Sequence, residues 1–389
     1  MKKIIISLFI FLGFTCQGFC ATEETADKNY IIESSFADLS VDEVNKFIFS
    51  MNKELDDQLP ALNLETIKEI VFKGGNFNLQ SGFEFLLKKL FQELVHQSSL
   101  MGKLLFLAVM CAMLQNLQNS FEKSGISLLA YSVSFCFMTV FVMKAFYEAI
   151  QLAMQTISYM AGFMEALLPL MITLLAGVGA VTSAALFSPF MLFMVSVITM
   201  AVKNVVLPLL MFGAALECTN YLADKYQLTE LTSLFKQAAM LILGFMMMIF
   251  IGVITIQGVS GSVADGLALR TAKFATSTFV PVVGKVFADT VELVMGASLL
   301  LKNAVGIFGV LTIGGICLLP IIKMFSLVVV MKFTGALIEP MGDKKMAKCL
   351  AQLGNNLLLI TGAVITVTLM FFLAITMIIG VGSAAVMLR

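Results

Sequence analysis

Eight apolar runs follow one another after residue 100, and they limit what this chain can fold into more than any other feature. They cover 104–117, 127–143, 165–186, 190–216, 237–257, 280–301, 304–331 and 356–379. A helix needs about 20 predominantly apolar residues to cross the hydrocarbon core of a bilayer. With 59% hydrophobic and only 13% charged residues, a soluble chain of 389 residues could not cover its apolar surface. The sequence therefore predicts an all-α, polytopic membrane protein with about eight transmembrane helices.

The first hundred residues differ from the rest of the chain. Residues 1–20 combine two lysines with a short apolar run and small residues near its end, which is typical of a signal peptide. An uncleaved first span is the alternative. Residues 21–100 are acidic, and Ser40 and Glu43 form a capping box at the start of an amphipathic stretch. We therefore expect a small helical extracytoplasmic domain ahead of the membrane part.

The membrane part is predicted to consist of four segments. A transmembrane hairpin is expected over 101–150, a three-span half over 160–257, a polar connecting loop over 258–279 and a second three-span half over 280–389. Each half then has an odd number of spans. A duplicated second half would therefore be inverted across the membrane relative to the first.

A short repeated motif favours such an inverted repeat. GAALE at 213–217 and GALIE at 335–339 each close the second run of their half. The loop after GALIE is richer in lysine than the loop after GAALE, which agrees with a cytoplasmic position for the later loop. We therefore expect Cys218 to lie on the extracytoplasmic side and Cys349 on the cytoplasmic side.

One apolar segment carries three charges on a single helix face. Lys285, Asp289 and Glu292 are four and three positions apart. Each charge near mid-depth costs about 3 kcal/mol, so together they outweigh the apolar residues around them. The helix then either lies at the membrane surface or turns its charges toward a polar seam or pathway inside an assembly. We adopt the seam as the hypothesis.

Two further lysines stand beside prolines within apolar runs. Lys203 precedes Pro208 by five positions, and Lys323 follows Pro320 by three. Proline removes a backbone donor and can open a helix. Charges beside broken helices in two matching halves are typical of a midplane transport site, so both lysines are candidates for a polar pathway. The alternative is that their long side chains reach the membrane surface.

The polar stretch between the two halves holds three charged residues. Asp265, Arg270 and Lys273 lie among glycines and serines over 258–279. A plain connecting loop is one interpretation of this composition. The other is a contact site for another subunit, for which these three residues are the candidates.

Catalytic and metal-binding chemistry finds no support in the sequence. His96, the single histidine, lies in the polar stretch ahead of the membrane part, and the cysteines beyond Cys20 are isolated from one another. The motifs of phosphoryl transfer, serine hydrolysis and zinc hydrolysis are missing. The scattered basic residues do not form the stripe that binds nucleic acid. We therefore expect no enzyme, no cofactor, no metal and no nucleic acid.

Two adjoining stretches carry a resemblance to a known family. VADGLALRTAKF begins at Val263, and FVPVVGKVFADTVELV ends at Val294. Together with the leader, the acidic block and the polytopic body, they resemble the stage III sporulation protein AE family over nearly the whole chain. The resemblance implies a multi-pass protein of endospore-forming bacteria, placed in the mother-cell membrane that surrounds the forespore.

The same resemblance implies partners and a function. The partners would be other membrane subunits of a sporulation channel complex, including ring-forming proteins and a cytoplasmic secretion-type ATPase. The expected function is that of a non-enzymatic subunit of a transenvelope channel or secretion-like complex linking mother cell and forespore, as its polytopic core or export-gate-like component. Two alternatives stay open: a stand-alone secondary transporter built on the inverted repeat, and a membrane scaffold with no conduction path.

Overall fold

Long α-helices form nearly all of the described chain. The computed structural model describes residues 79–120, 125–222, 228–279, 283–341 and 344–387. In chain order these ranges hold α1 (Leu79–His96), α2 (Ser98–Ser120), α3 (Gly125–Gly177), α4 (Val181–Ala201), α5 (Leu207–Leu222), α6 (Thr229–Phe279), α7 (Val283–Ile338) and α8 (Lys344–Met387). A π-helical segment, Val202–Val206, joins α4 to α5, and a 3-10 turn, Glu339–Met341, follows α7. These ranges contain no strand, so the prediction of an all-α fold is confirmed.

Five helical segments of the described chain are long and apolar enough to cross a membrane. They are Ser132–Gly177, Val181–Tyr221, Thr229–Thr271, Val294–Ile338 and Lys344–Ser383. The pair α1 and α2, bent by 44°, makes a sixth if it is counted as one span. The five segments have 40 to 46 residues, which is about 60 to 69 Å of helix at about 1.5 Å per residue. Eight separate spans are not confirmed.

Polar residues inside continuous helices explain the difference in span number. Glu148 and Gln151 separate two apolar runs of the sequence, yet α3 continues through them without a break. Lys302 and Asn303 separate two later runs, and α7 continues through them in the same way. A polar side chain lowers the local hydropathy but leaves the backbone hydrogen bonds of a helix intact. Four predicted spans are therefore parts of two helices.

The predicted connecting loop is also helical. Residues 258–279 form the last part of α6 and not a loop. Their glycines allow close helix packing: a side chain at Gly258 would touch Met377 and Val381 of α8, and one at Gly261 would collide with Ser183 of α4. Small residues let two helices approach closely in a membrane protein. The Gly- and Ser-rich composition therefore marks a packing surface.

The N-terminal predictions fall largely outside the described residues. The signal peptide expected at 1–20 lies outside them, and so does the acidic domain up to residue 78. The end of that domain is helical, since it contains α1. α2 begins at Ser98 and corresponds to the first span of the predicted hairpin.

A tight turn connects α3 to α4. Gly179 adopts a φ of 88°, a left-handed conformation that glycine adopts without the penalty of a side chain. The Gly179 N–H donates to Ala176 O over 2.9 Å, and the Ala180 N–H donates to Leu175 O over 3.2 Å. This pair of bonds is a Schellman motif, which satisfies the last carbonyl groups of α3. The chain can therefore reverse its direction within three residues.

α8 is the central helix of the bundle. It packs against α3, α5, α6 and α7. Its residues at middle depth are buried and apolar, among them Ile360, Val364, Val367, Phe371 and Ala374. α3 and α6 pack on α8 and not extensively on each other within the described structure. They therefore lie on different sides of α8.

α3 and α8 run in the same direction and keep a constant register. Thr368 Oγ1 on α8 contacts Met160 Sδ on α3 at 3.4 Å. Met171 and Ile379, which have the same offset of 208 positions, meet beside Gly306 of α7. A residue of α3 therefore lies at the depth of the α8 residue 208 positions later.

We define the middle zone as the part of the bundle between Asn356 and Ile379 of α8. These positions are 23 residues apart, which is about 34 Å of helix. That length is close to the ~30 Å thickness of a hydrocarbon core. Because residues of α3 and α8 at equal depth are 208 positions apart, the middle zone covers residues 148–171 of α3.

The middle zone of α6 follows from two contacts. Lys236 and Asn356 both bind Glu217, which places Lys236 at one end of the zone. Gly258 approaches Met377 near the other end. The zone therefore covers 236–258 of α6.

Candidate functional site

Asp265 caps a neighbouring helix. One oxygen of its carboxylate accepts a hydrogen bond from the Thr182 N–H over 2.8 Å, and the other accepts from the Ser183 N–H over 3.1 Å. These N–H groups belong to the first turn of α4, where no earlier carbonyl is available to accept them. The negative charge also suits the positive end of the helix dipole. Asp265 is 1% exposed, so it supports the fold and does not offer the subunit contact that was predicted for it.

Lys302 is a buried cation at the same end of the bundle. Its side chain is 0% exposed, and its Nζ donates to the Ile379 carbonyl of α8 over 2.8 Å. Gly382 leaves room for this arrangement, because a side chain there would collide with Nζ. In the described part of the chain no carboxylate pairs with Lys302. The hydrogen bond of Lys302 connects α7 to α8 at Ile379, one boundary of the middle zone.

A second polar cluster lies at the other boundary. Glu217 Oε2 accepts hydrogen bonds from Lys236 Nζ over 2.6 Å and from Asn356 Nδ2 over 2.9 Å. The cluster joins α5, α6 and α8, and Glu217 is 8% exposed. A buried carboxylate needs such partners, because desolvation alone would cost several kcal/mol. We call Glu217, Lys236 and Asn356 the glutamate cluster.

Two cysteines beside the glutamate cluster contradict the predicted inversion. The Cys349 side chain neighbours that of Cys218, and Cys218 Sγ lies 3.6 Å from Met143 Sδ. Both thiols are buried in the same part of the bundle. They were expected on opposite sides of the membrane, and neighbouring side chains cannot occupy opposite sides. The prediction failed because each GAxxE motif ends a helix at the same end of the bundle.

Lys203 lies in the π-helical segment. Its Nζ donates to Ser158 Oγ of α3 over 2.7 Å, and the side chain is half-buried. Pro208 lacks the N–H that an α-helix would direct toward residue 204, which favours a widened turn at this place. Single π-helical turns are frequent at functional sites. Lys203 therefore reaches the polar side of α3 at middle depth.

The remaining predicted site residues do not form one cluster among the described contacts. Lys323 is exposed on α7, and Arg270 is exposed on α6. Lys285, Asp289 and Glu292 lie on the first turns of α7, and Lys273 lies on α6, but their side chains are outside the described set. A polar seam at Lys285 and a subunit contact at Arg270 and Lys273 remain predictions.

The exposed part of α3 is polar at both ends of the middle zone, and no position between Gln155 and Glu165 is exposed. Every position of 148–171 that is exposed carries a polar residue or proline. These positions are Glu148, Gln151, Gln155, Glu165 and Pro169. We call Glu148, Gln151, Gln155 and Glu165 the α3 stripe. Among the described contacts, neither glutamate of the stripe pairs with a cation, and the ion pair of Lys236 with Glu217 involves neither of them.

The α3 stripe was missed by sequence reasoning. Glu148, Gln151 and Gln155 are three and four positions apart, which places them on one face of a helix. Glu165 continues that face. This spacing was visible in the sequence, but residues 144–164 lay between two predicted spans and were not assigned to a helix. Lys302 and the glutamate cluster were missed because their partners are distant in sequence.

The polar side chains of these sites are better suited to hydrating and attracting ions than to catalysing a reaction. No group of three or more His, Cys, Asp or Glu residues in the described ranges is placed to hold a metal ion. The α3 stripe offers carboxylate and amide groups along about 26 Å of helix from Glu148 to Glu165. Such a row can hydrate and attract cations.

Comparison with known proteins identifies relatives of the whole chain. Residues 63–382 match the family described as stage III sporulation protein AE. The chain is 36% identical over 366 residues to stage III sporulation protein AE of Bacillus subtilis (strain 168), and the match covers 94% of this chain and 91% of that protein. No solved structure matches the chain.

Proposed function

We propose a function for this chain, which belongs to the stage III sporulation protein AE family. It is a non-enzymatic, integral membrane subunit of a transenvelope channel complex of sporulation. Within that complex it is the polytopic, export-gate-like core and supplies part of the wall of a water-filled path. The single observation that carries the proposal is the α3 stripe, an outward face whose exposed positions in the middle zone are polar residues and one proline, whereas α6 exposes mainly apolar residues at the same depth.

The free energy of a charge in lipid supports a hydrated environment for the stripe. An ionised side chain at the centre of a bilayer costs about 3 kcal/mol on insertion scales. Glu148 lies at the edge of the middle zone, whereas Glu165 lies well inside it. Ionisable residues at such depth nearly always face protein or a water-filled cavity. A water-lined path removes the cost for the entire row.

The packing of the bundle distinguishes this proposal from its alternatives. A stand-alone transporter needs a substrate site between its own helices, but Phe371 on α8 is buried at middle depth, and Phe163 and Phe308 meet edge to face there. A scaffold without a conduction path needs no polar row across the membrane. The stripe therefore favours a path on the outside of the single chain.

The membrane and the partners of the proposal come from the family. We place the protein in the mother-cell membrane that surrounds the forespore, where stage III sporulation proteins would join the two cells. The proposed partners are further membrane subunits, ring-forming proteins and a cytoplasmic secretion-type ATPase. Arg270 and Lys273 at the end of α6 are candidate contacts with them.

Thiol labelling in sporulating cells tests the water-filled path. Gln155→Cys is introduced into a cysteine-free chain, and Phe245→Cys on the outward face of α6 at the same depth is the matched control. A charged, membrane-impermeant reagent should modify Gln155→Cys at least about tenfold faster, because the reactive thiolate forms in water and not in hydrocarbon. Equal rates at the two positions would refute the proposed path.

A further inference from the structure

We infer that several copies of this chain, inserted in the same direction, enclose the path with their α3 stripes turned toward one axis. This inference rests on the proposed function, since it names the partner that completes the wall. It concerns the outward polar face of one helix. Three observations on the single chain lead to it.

The first observation is that the interior of the described bundle is filled by side chains at middle depth. Val364, Val367 and Phe371 of α8 are each 0% exposed. Gly306 and Gly309 bring α7 so close to α8 and α3 that added side chains would collide with Ile379 of α8 and Leu167 of α3. The polar row lies outside this filled interior. A wall built by this chain must therefore be completed by other molecules.

The second observation is that the chain has one polar and one apolar outward face on different sides of α8. α3 presents the stripe, whereas α6 presents large apolar residues at the same depth, among them Leu241 at 72% and Met248 at 73% exposure. α8 packs against both helices. A subunit of a membrane ring needs this distribution, with its polar face toward the lumen and its apolar face toward lipid.

The third observation is that charges of both signs are exposed at middle depth. Lys323 is exposed on α7. On one side of it along α7, Gly309 lies at the depth of Ile375 of α8. On the other side, Lys332 packs on Gly354 of α8. Lys323 therefore lies within the middle zone, where the exposed glutamates of the stripe also lie. An isolated lysine in lipid is as costly as an isolated glutamate. A second copy offers each of these charges an opposite charge or the water of a shared lumen.

Symmetry then determines what the lumen contains. Copies related by a closed ring place identical residues at equal depth around the axis. In a dry contact Glu165 would face Glu165, and like charges at close range repel. The ring is therefore open and filled with water, and Glu148 and Glu165 form two carboxylate rings. Rings of carboxylates attract cations and exclude anions.

Cross-linking of the purified full chain in lipid vesicles tests the ring. Bismaleimides of increasing length are added to cysteine-free chains that carry Gln155→Cys, with Phe245→Cys as the control and Gln151→Cys as a second stripe position. We expect ladders of covalent dimers and larger species at both stripe positions and monomers at Phe245→Cys. Monomers at all three positions, with Gln155→Cys labelled by water-soluble reagent in cells, would refute the ring of copies and leave the path intact.

Ion conductance gives a second, independent readout. Vesicles that contain the purified chain should pass potassium in preference to chloride. Glu165→Gln should reduce that preference several-fold, because one carboxylate ring becomes neutral. Lys88→Gln, a charge change on α1 away from the stripe, is the control and should leave the preference unchanged. No conductance, or a preference unaffected by Glu165→Gln, would contradict the carboxylate rings.

Discussion

The outward faces of α3 and α6 lie at the same depth and have opposite chemistry. Between residues 148 and 171, the exposed positions of α3 are two glutamates, two glutamines and a proline. Between residues 236 and 258, α6 exposes mainly Met, Leu, Phe and Ile and no charged residue. Both helices pack on α8. Exposure on a single membrane chain therefore does not identify lipid contact, because the chemistry of a face shows which environment it is built for.

The inward faces of the two helices show the reverse contrast. α6 turns Asp265 inward to cap α4, and α3 turns Phe163, Leu167 and Met171 inward. Of the two helices only α3 exposes charged residues within the middle zone, although α3 also buries Thr156 and α6 exposes Arg270 beyond that zone. This difference is expected if, in the middle zone, the outward face of α3 meets water and that of α6 meets lipid. The predictions below test that contrast, from the largest expected effect on folding to the smallest.

The same acidic residue placed on the two outward faces should have very different effects. Phe245→Glu on α6 should cost about 3 kcal/mol, because it places a carboxylate in hydrocarbon. Gln155→Glu on α3 should cost less than about 0.5 kcal/mol, because its surroundings are hydrated. The amount of monodisperse protein extracted from membranes measures both. Comparable losses for the two variants would remove the distinction between the faces.

Removing the inward acid of α6 should be the next largest change. Asp265→Ala should destabilise the protein by about 2 kcal/mol, because two N–H groups at the start of α4 lose a charged partner. Asp265→Asn, which retains an acceptor for the cap, should cost less. Thermal melting followed with a thiol-reactive dye measures both. An unchanged melting temperature for Asp265→Ala would show that the cap is dispensable.

The glutamate cluster provides a test with a compensating change. Lys236→Met should cost about 1 kcal/mol, since Glu217 then keeps only Asn356 as a partner and Lys236 is half-buried. The double variant Lys236→Met with Glu217→Gln should recover part of the loss, because the unpaired charge is gone. Dye melting of the single and double variants decides this. If the stability loss of the double variant equals the sum of the losses of Lys236→Met and Glu217→Gln alone, the two residues act independently.

Apolar substitution of the stripe should separate folding from function. Gln151→Leu combined with Gln155→Leu should change stability by less than about 0.5 kcal/mol, because both side chains are exposed. Spore formation should nevertheless fall strongly, since an apolar row no longer holds water. Met240→Leu with Met248→Leu on α6 is the matched control. Normal sporulation with the leucine stripe would indicate that the polar character of α3 is not used.

The class of fold followed from the sequence, but the lengths of the helices did not. Apolar runs identified a helical membrane protein because hydropathy is a property of each segment by itself. Helix ends depend on backbone geometry, so Glu148 and Lys302 ended apolar runs without ending α3 or α7. The glycines of 258–279 indicated a loop by composition, whereas their function is close packing against α4 and α8.

The polar contacts could be predicted only in part. The i, i+3 and i+7 spacing of Glu148, Gln151 and Gln155 shows that they share a helix face. Whether that face points inward or outward depends on how α3 packs on α8. The sequence of α3 alone does not determine this packing. Asp265 binds groups more than 80 positions away, and no local pattern indicates such a pairing.

The length of the five helical segments that could cross a membrane has a mechanical consequence. A segment of 40 residues is about 60 Å long, and a tilt of about 40°, the upper end of the observed range, would still give it a height of about 46 Å. That is about 16 Å more than a hydrocarbon core of about 30 Å. The ends of these segments therefore reach the outer edge of the headgroup region, since the whole bilayer is about 40 to 45 Å thick. A soluble protein that docks there would be held at a set height from the bilayer by the stiffness of packed helices.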